Sequence, residues 1–130
     1  MKLEVGMYIR TKDGIIAKVD YIDNDTIFFD KELYRTYGDS IDFLEKDNLE
    51  RIVKASYNII DILEAVDFVS TIIGECAVIA GVYNDINSKK YLRLCNCIGE
   101  YYEDDIKSIV TKEQIKQISY KVVSKDERDN

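Results

Sequence analysis

The sequence predicts a mainly β protein with one or two short helices, organised as a tandem repeat of two small β units packed together. Three observations predict it. Residues 4–25 and 64–85 align without a gap and share six identities in 22 positions, pairing Glu4 with Glu64, Thr11 with Thr71, Gly14 with Gly74, Ala17 with Ala77 and Asn24-Asp25 with Asn84-Asp85. Identities at turn residues are harder to obtain from apolar alternation alone. Both stretches also carry short runs rich in β-branched and aromatic residues, bounded by glycine, asparagine and aspartate. Finally, a unit of about 60 residues buries only about 60% of its unfolded surface, so two such units must lean on each other.

The elements follow in order. Met7 to Thr11 alternates and leads into Lys12-Asp13-Gly14, a turn type that supplies the positive φ a tight hairpin needs. Ile15 to Ile22 is the returning strand, Asp23-Asn24-Asp25 a second turn, and Thr26 to Phe29 a third strand. Lys31 to Ser40 reads as an exposed loop, Ile41 to Leu44 as an edge strand and Leu49 to Val53 as the strand that closes the first unit. The second unit repeats the plan with strands at Asp67 to Thr71, Glu75 to Val82, Tyr91 to Cys95 and near Ile98 to Tyr102. Its second half aligns with the first by setting Asp47 to Val53 on Asp104 to Val110. Thr111-Lys112-Glu113-Gln114 fits a capping box, which opens a short helix through Gln117 with Ile115 and Ile118 on its buried face. Tyr120 to Val123 is a final strand. The boundaries are thus 1–63, 64–123 and a charged tail at 124–130. Short strands and tight turns in units of this size resemble SH3-like or KOW-like small β-barrels.

Composition sets the class of partner. The chain carries 25 acidic and 18 basic residues for a net charge of −7, spread evenly between the halves. Nucleic-acid affinity comes from lysine and arginine releasing phosphate counterions, so this balance argues against direct nucleic-acid binding. It is compatible with a basic protein partner. No run is apolar enough to span a bilayer and the first residues lack a signal-peptide core, so the expected location is the cytoplasm, with no membrane contact. Zero prolines leaves charge to blunt the sheet edges.

The chemistry-bearing residues are few. The absence of histidine excludes Ser-His, Cys-His and His-carboxylate sites. Cys76, Cys95 and Cys97 are three thiols without zinc-site spacing and read as reduced core residues, with Cys95 and Cys97 facing one side of a strand. Asp105-Ile106-Lys107, with Asp104 and Asp85, is the one arrangement with a nuclease-like metal pattern, and a match this short is frequent in a highly charged chain. No cofactor is expected and the chain is read as non-enzymatic. The densest acidic-aromatic segment is Glu100, Tyr101, Tyr102, Glu103, Asp104 and Asp105, with Tyr34 and Tyr37 in the equivalent region of the first unit. Tyrosine offers large contact area at low entropy cost and carboxylates meet cations, so these eight residues are the predicted partner-binding set.

One stretch carries a resemblance. Lys54-Ala55-Ser56-Tyr57-Asn58-Ile59-Ile60-Asp61-Ile62-Leu63-Glu64 resembles a junction in small uncharacterised proteins of prophages and other mobile elements in Gram-positive bacteria. Those proteins begin with a segment like residues 1–12 and end near one like 110–122. The family continues the junction with Val-Gly-Asp-Tyr-Val-Asn-Gly, where this chain has Ala65-Val66-Asp67-Phe68-Val69-Ser70-Thr71 and so lacks both glycines. No activity travels with the family. The resemblance implies a mobile-element setting, and with it a host protein as partner, such as a defence or nucleic-acid-handling protein blocked through an acidic surface. The alternative expectation is a small ligand or nucleotide held between the two units.

Overall fold

The computed structural model describes residues 2–30, 35–36 and 40–117. β1 (Tyr8–Thr11), β2 (Ile16–Asp23) and β3 (Thr26–Asp30) form an antiparallel meander. Its turns need left-handed backbone, which Gly14 supplies at φ 85° and Asn24 at φ 51°. A two-residue strand, β4 (Arg35–Thr36), follows, then β5 (Phe43–Glu45) pairs outside β3. After a 3-10 turn at Lys46–Arg51, β6 (Ile52–Ser56) returns to the far side of β1, so the first sheet reads β5-β3-β2-β1-β6.

The second sheet is laid out on the same plan. β7 (Phe68–Thr71), β8 (Cys76–Asn84) and β9 (Lys90–Leu94) form the meander, and β10 (Ile106–Val110) pairs with β7 after a 3-10 turn at Glu103–Asp105. The backbone bonds repeat residue for residue at an offset of 60. Gly6 N donates to Val19 O as Val66 N does to Ile79 O, Val19 N to Met7 O as Ile79 N to Asp67 O, and Thr11 N to Ile15 O as Thr71 N to Glu75 O. Each β2-type strand is bulged at the same place, after Val19 and after Ile79. Among the described residues, neither sheet closes into a barrel.

Several expectations change. The loop expected at Lys31 to Ser40 contributes β4, which pairs parallel with β10 and so joins the second sheet. The strand expected at Leu49 to Val53 starts at Ile52, because Lys46–Arg51 is a 3-10 turn. The expected alignment of Asp47 with Asp104 holds for the preceding bridge, where Leu44 opposite Ile27 matches Tyr101 opposite Leu92. It fails beyond, since the turn is six residues long in the first half and three in the second. Ile52 therefore matches Ile106, each facing the last residue of its partner strand, Thr11 or Thr71. Near Ile98 to Tyr102 the structure has only the Tyr101 bridge. Cys76 is exposed and β9 ends before Cys95, with Asn96 turning the chain at φ 63°, so the cysteines are not three core residues on regular strands. Helical backbone spans 112–117, with Thr111 N donating to Gln114 Oε1 at 3.0 Å as the capping box requires. Ile118 and the expected final strand and tail lie outside the described residues.

Two apolar cores result. Ile9, Val19, Ile27, Phe29, Leu44 and Ile52 gather on one side of the first sheet. The second core gathers Val69, Ile79, Leu92, Leu94, Tyr101, Ile106 and Ile109 with Ile59, Ile60, Ile62 and Leu63 of the junction, where Ile59–Ile62 is a buried 3-10 turn. Tyr8 and Ile16 of the first sheet also enter this second core. Alternation explains the split: Ile9 and Thr11 point to one side of β1, Tyr8 and Arg10 to the other.

Val66 stands where the first half has Gly6, and it adopts φ 76° against 93° for that glycine. A β-branched residue in left-handed backbone costs about 1–2 kcal/mol, partly offset in a glycine variant by the extra freedom of its unfolded chain. Val66→Gly is expected to raise the unfolding free energy by about 0.5–1 kcal/mol, read as a higher urea midpoint at unchanged slope.

Candidate interaction surface

The predicted eight-residue set does not assemble into one surface. Tyr101 is 3% exposed, its ring packed in the second core and its backbone paired in both directions with Leu92, so it is unavailable to a partner. Tyr102 is half-buried and donates its hydroxyl to Asp85 Oδ2 at 3.0 Å, a bond that pushes the phenol up to about 12. Asp105 Oδ2 accepts from Tyr102 N at 2.8 Å and closes the 3-10 turn. Glu103 is half-buried, whereas Glu100 and Asp104 are exposed. Tyr34 and Tyr37 lie outside the described residues. The nuclease-like pattern also dissolves. Asp85 is held below the usual carboxylate range by backbone N–H donors, that of Lys89 foremost, which outweigh its partial desolvation. Among the described residues, no group of three or more His, Cys, Asp or Glu side chains is placed to hold a metal ion.

A second charged cluster is structural, and sequence reading missed it. Arg10 on β1 has no solvent exposure and meets Asp67, equally buried, through two bonds of 2.5 and 3.0 Å. Nη1 also donates to Ile62 O at 3.1 Å and Nη2 to Glu113 Oε2 at 2.6 Å. Asp67 in turn accepts from Glu64 N at 2.7 Å and Lys112 N at 2.9 Å, so four donors surround one carboxylate. Burial pulls the guanidinium toward neutrality, but Asp67 and Glu113 outweigh that and raise its pKa. Glu64 borders the cluster, bonded to Lys112 Nζ at 2.6 Å and Lys54 Nζ at 3.1 Å. The Lys112 bond chiefly lowers its carboxyl to about 2. Nearby, Thr111 Oγ1 donates to Gly14 O at 2.8 Å, and any Cβ on Gly14 would lie 2.2 Å from that oxygen.

The surface that stands out lies on the face of the first sheet shared by Tyr8 and Arg10, beyond the part that the second core covers. Cross-strand pairing sets Tyr21 beside Phe28 and Phe28 beside Phe43, one aromatic on each of β2, β3 and β5. Tyr21 and Phe28 stack with ring centroids 4.4 Å apart and planes within 9°, and Phe43 tilts against Phe28 at 6.1 Å. Tyr21 is 50% and Phe43 52% exposed. The next row along the strands is Asp23, Thr26 and Glu45, bordering an open hollow of about 380 Å³ lined by Asp25, Thr26, Glu45, Lys46 and Asp47. Three carboxylates and one ammonium leave this hollow with two excess negative charges.

The second sheet exchanges the two rows. At the positions of Tyr21, Phe28 and Phe43 it has Gly81, Arg93 and Glu100, the last two 3.7 Å apart as an ion pair. At the positions of Asp23, Thr26 and Glu45 it has Tyr83, Tyr91 and Tyr102, with centroids 5.9 and 5.7 Å apart in sequence. Those rings carry cations of their own chain: the Arg93 guanidinium lies 5.9 Å from the Tyr91 centroid and Lys89 Nζ 5.0 Å from that of Tyr102. Among the described residues, no cation stands over Tyr21, Phe28 or Phe43, and Lys18 lies instead over Tyr8 at 5.3 Å.

Comparison with protein-family models, with curated proteins and with solved structures found no match to this chain. No helix among the described residues is long and apolar enough to cross a membrane.

Two outcomes test the buried cluster. Arg10→Ala strands Asp67 among donors that no longer balance its charge, and should lower the unfolding free energy by about 3–5 kcal/mol in chemical denaturation. Glu64 has a folded pKa of about 2 against an ordinary 4.5, so its contribution is complete above pH 4.5 and disappears as the pH falls towards 2. Glu64→Gln should therefore flatten the stability-against-pH curve in that window while lowering the plateau above it.

Proposed function

We propose that the chain is a non-enzymatic binding protein that engages a protein partner through the exposed aromatic row of its first sheet. The observation that carries this reading is the contrast between the two sheets. The second sheet keeps the order of the four strands it shares with the first, with a bridge at Tyr101 in place of β5, and has glycine and an ion pair at the three positions, so that shared arrangement does not require aromatics there. Rings aligned across three strands, with Tyr21 and Phe43 half exposed on either side of Phe28, are the kind of surface that partners cover, since aromatic residues are enriched where contact energy concentrates. The finer architecture belongs to the same proposal: two SH3-like units, descended from a duplicated segment, of which the first specialised in binding. The resemblance at the junction supports a prophage or other mobile-element setting for this reading, with a host protein, blocked by occupation, as the proposed partner. Among the described residues, Tyr8 and Ile16 of the first sheet pack into the second core and Arg10 bonds Asp67 across the seam between the halves.

The reading is tested by capture from Gram-positive host lysate on the wild-type chain, on Phe43→Ser and on the second-sheet control Arg93→Ala. The expected result is a protein retained by wild type and Arg93→Ala, and then, purified, binding Phe43→Ser roughly tenfold or more weakly. Retention indifferent to Phe43, with circular dichroism showing an unchanged fold, overturns it.

A further inference from the structure

We infer that the Tyr21, Phe28 and Phe43 row is the docking surface for a basic, extended segment of the partner, whose arginine or lysine side chains lie over the rings. This rests on the reading above and adds the chemistry of what binds. The chain itself displays the arrangement. On the second sheet, rings of Tyr91 and Tyr102 are met by Arg93 and Lys89, with Glu100 and Asp85 alongside to balance them. The first sheet has the rings and the flanking acids without a described cation above them.

Charge complementarity selects the same occupant. Asp20, Asp23, Asp25, Glu45 and Asp47 are all exposed on or near β2, the β2–β3 turn and the end of β5, beside the aromatic row. A cation over an aromatic face is attracted by the ring quadrupole by about 0.5–1 kcal/mol at an exposed site, and neighbouring carboxylates add to that field. A phosphate-bearing strand can also stack its bases on rings, but these acids would repel its backbone. The open hollow beside the row accommodates the head of one more cationic side chain, within reach of Glu45 and Asp47. The partner segment is extended because Tyr21, Phe28 and Phe43 run straight across three neighbouring strands, a span that a stretched backbone matches with alternate side chains.

The test uses the isotope-labelled full chain and three synthetic probes, ten-residue peptides alternating glycine with arginine, lysine or glutamate, followed by amide chemical shifts. The arginine and lysine peptides should move the signals of Tyr21, Phe28, Phe43 and Glu45, and the glutamate peptide should not. A stronger response to arginine assigns the contact to guanidinium stacking, and an equal response assigns it to charge over the ring. Phe43→Ser should weaken either peptide roughly threefold or more, and raising salt should weaken both further. The proposal is overturned if the glutamate peptide binds as well, if shifts map to Tyr83, Tyr91 and Tyr102 instead, or if neither cationic peptide produces a shift. Should the cationic peptides fail while capture still depends on Phe43, the chemistry assigned to the partner is wrong and the binding face stands. Failure of both removes the binding face as well.

Discussion

A guanidinium withdrawn from water is tolerable only where acceptors surround it, and Arg10 draws its acceptors from segments distant in the chain. Asp67 just before β7, the carbonyl of Ile62 in the junction and Glu113 in the helical segment all converge on one side chain of β1. Each acceptor depends on its own neighbours. Asp67 is held by the amides of Glu64 and Lys112, and the helical segment by the reciprocal bonds of Thr111 and Gln114. An ion pair of this kind is weak evidence of net stability, because desolvating both charges offsets much of their attraction. Its effect is on geometry: the bonds that Nη1 and Nη2 make to Ile62, Asp67 and Glu113 hold the junction, the second sheet and the helical segment against β1.

That constraint explains which parts of the first sheet remain open. Tyr8 and Ile16 extend apolar contact from Arg10 into the second core, so the β1 end of this face is covered. Among the described residues, nothing of the second core reaches the rest of this face across β2, β3 and β5, where the aromatic row stands. The same docking turns the Gly14 hairpin against Thr111, a contact close enough that no side chain fits at Gly14. The surface available to a partner is therefore what the internal packing leaves, and its position follows from where the buried arginine sits.

The two sheets also show how far a shared backbone plan constrains chemistry. Over the four strands they share, order, bulge position and turn bonds agree, yet the outward rows carry different residues. Outward positions on a sheet answer to solvent and to partners, while inward positions answer to packing density. Val19 and Ile79, or Ile27 and Leu92, stay apolar for that reason. Phe28 and Arg93, under no such pressure, diverge. Val66 shows the opposite case, a β-branched residue in the left-handed backbone that Gly6 adopts in the first half, at the cost of local strain.

Much of the meander was legible in residue order, because the turns at Gly14, Asn24 and Gly74 depend on backbone torsion that only a few residue types adopt readily. The Thr111 to Gln114 cap was legible for a similar reason, being a bond between near neighbours. The shift to the Ile52 and Ile106 register was not, since it depends on the lengths of two 3-10 turns that have no strong local signature. Nor was the burial of Tyr101, or the joining of Tyr21, Phe28 and Phe43, which are 22 residues apart at their extremes and meet only through strand pairing. Local conformational preference and apolar alternation thus determined the strands, the turns and the repeated plan. Tertiary structure decided which carboxylates met Arg10 and which aromatics faced water, because those outcomes depend on long-range register, and register is settled by the whole core rather than by any one segment.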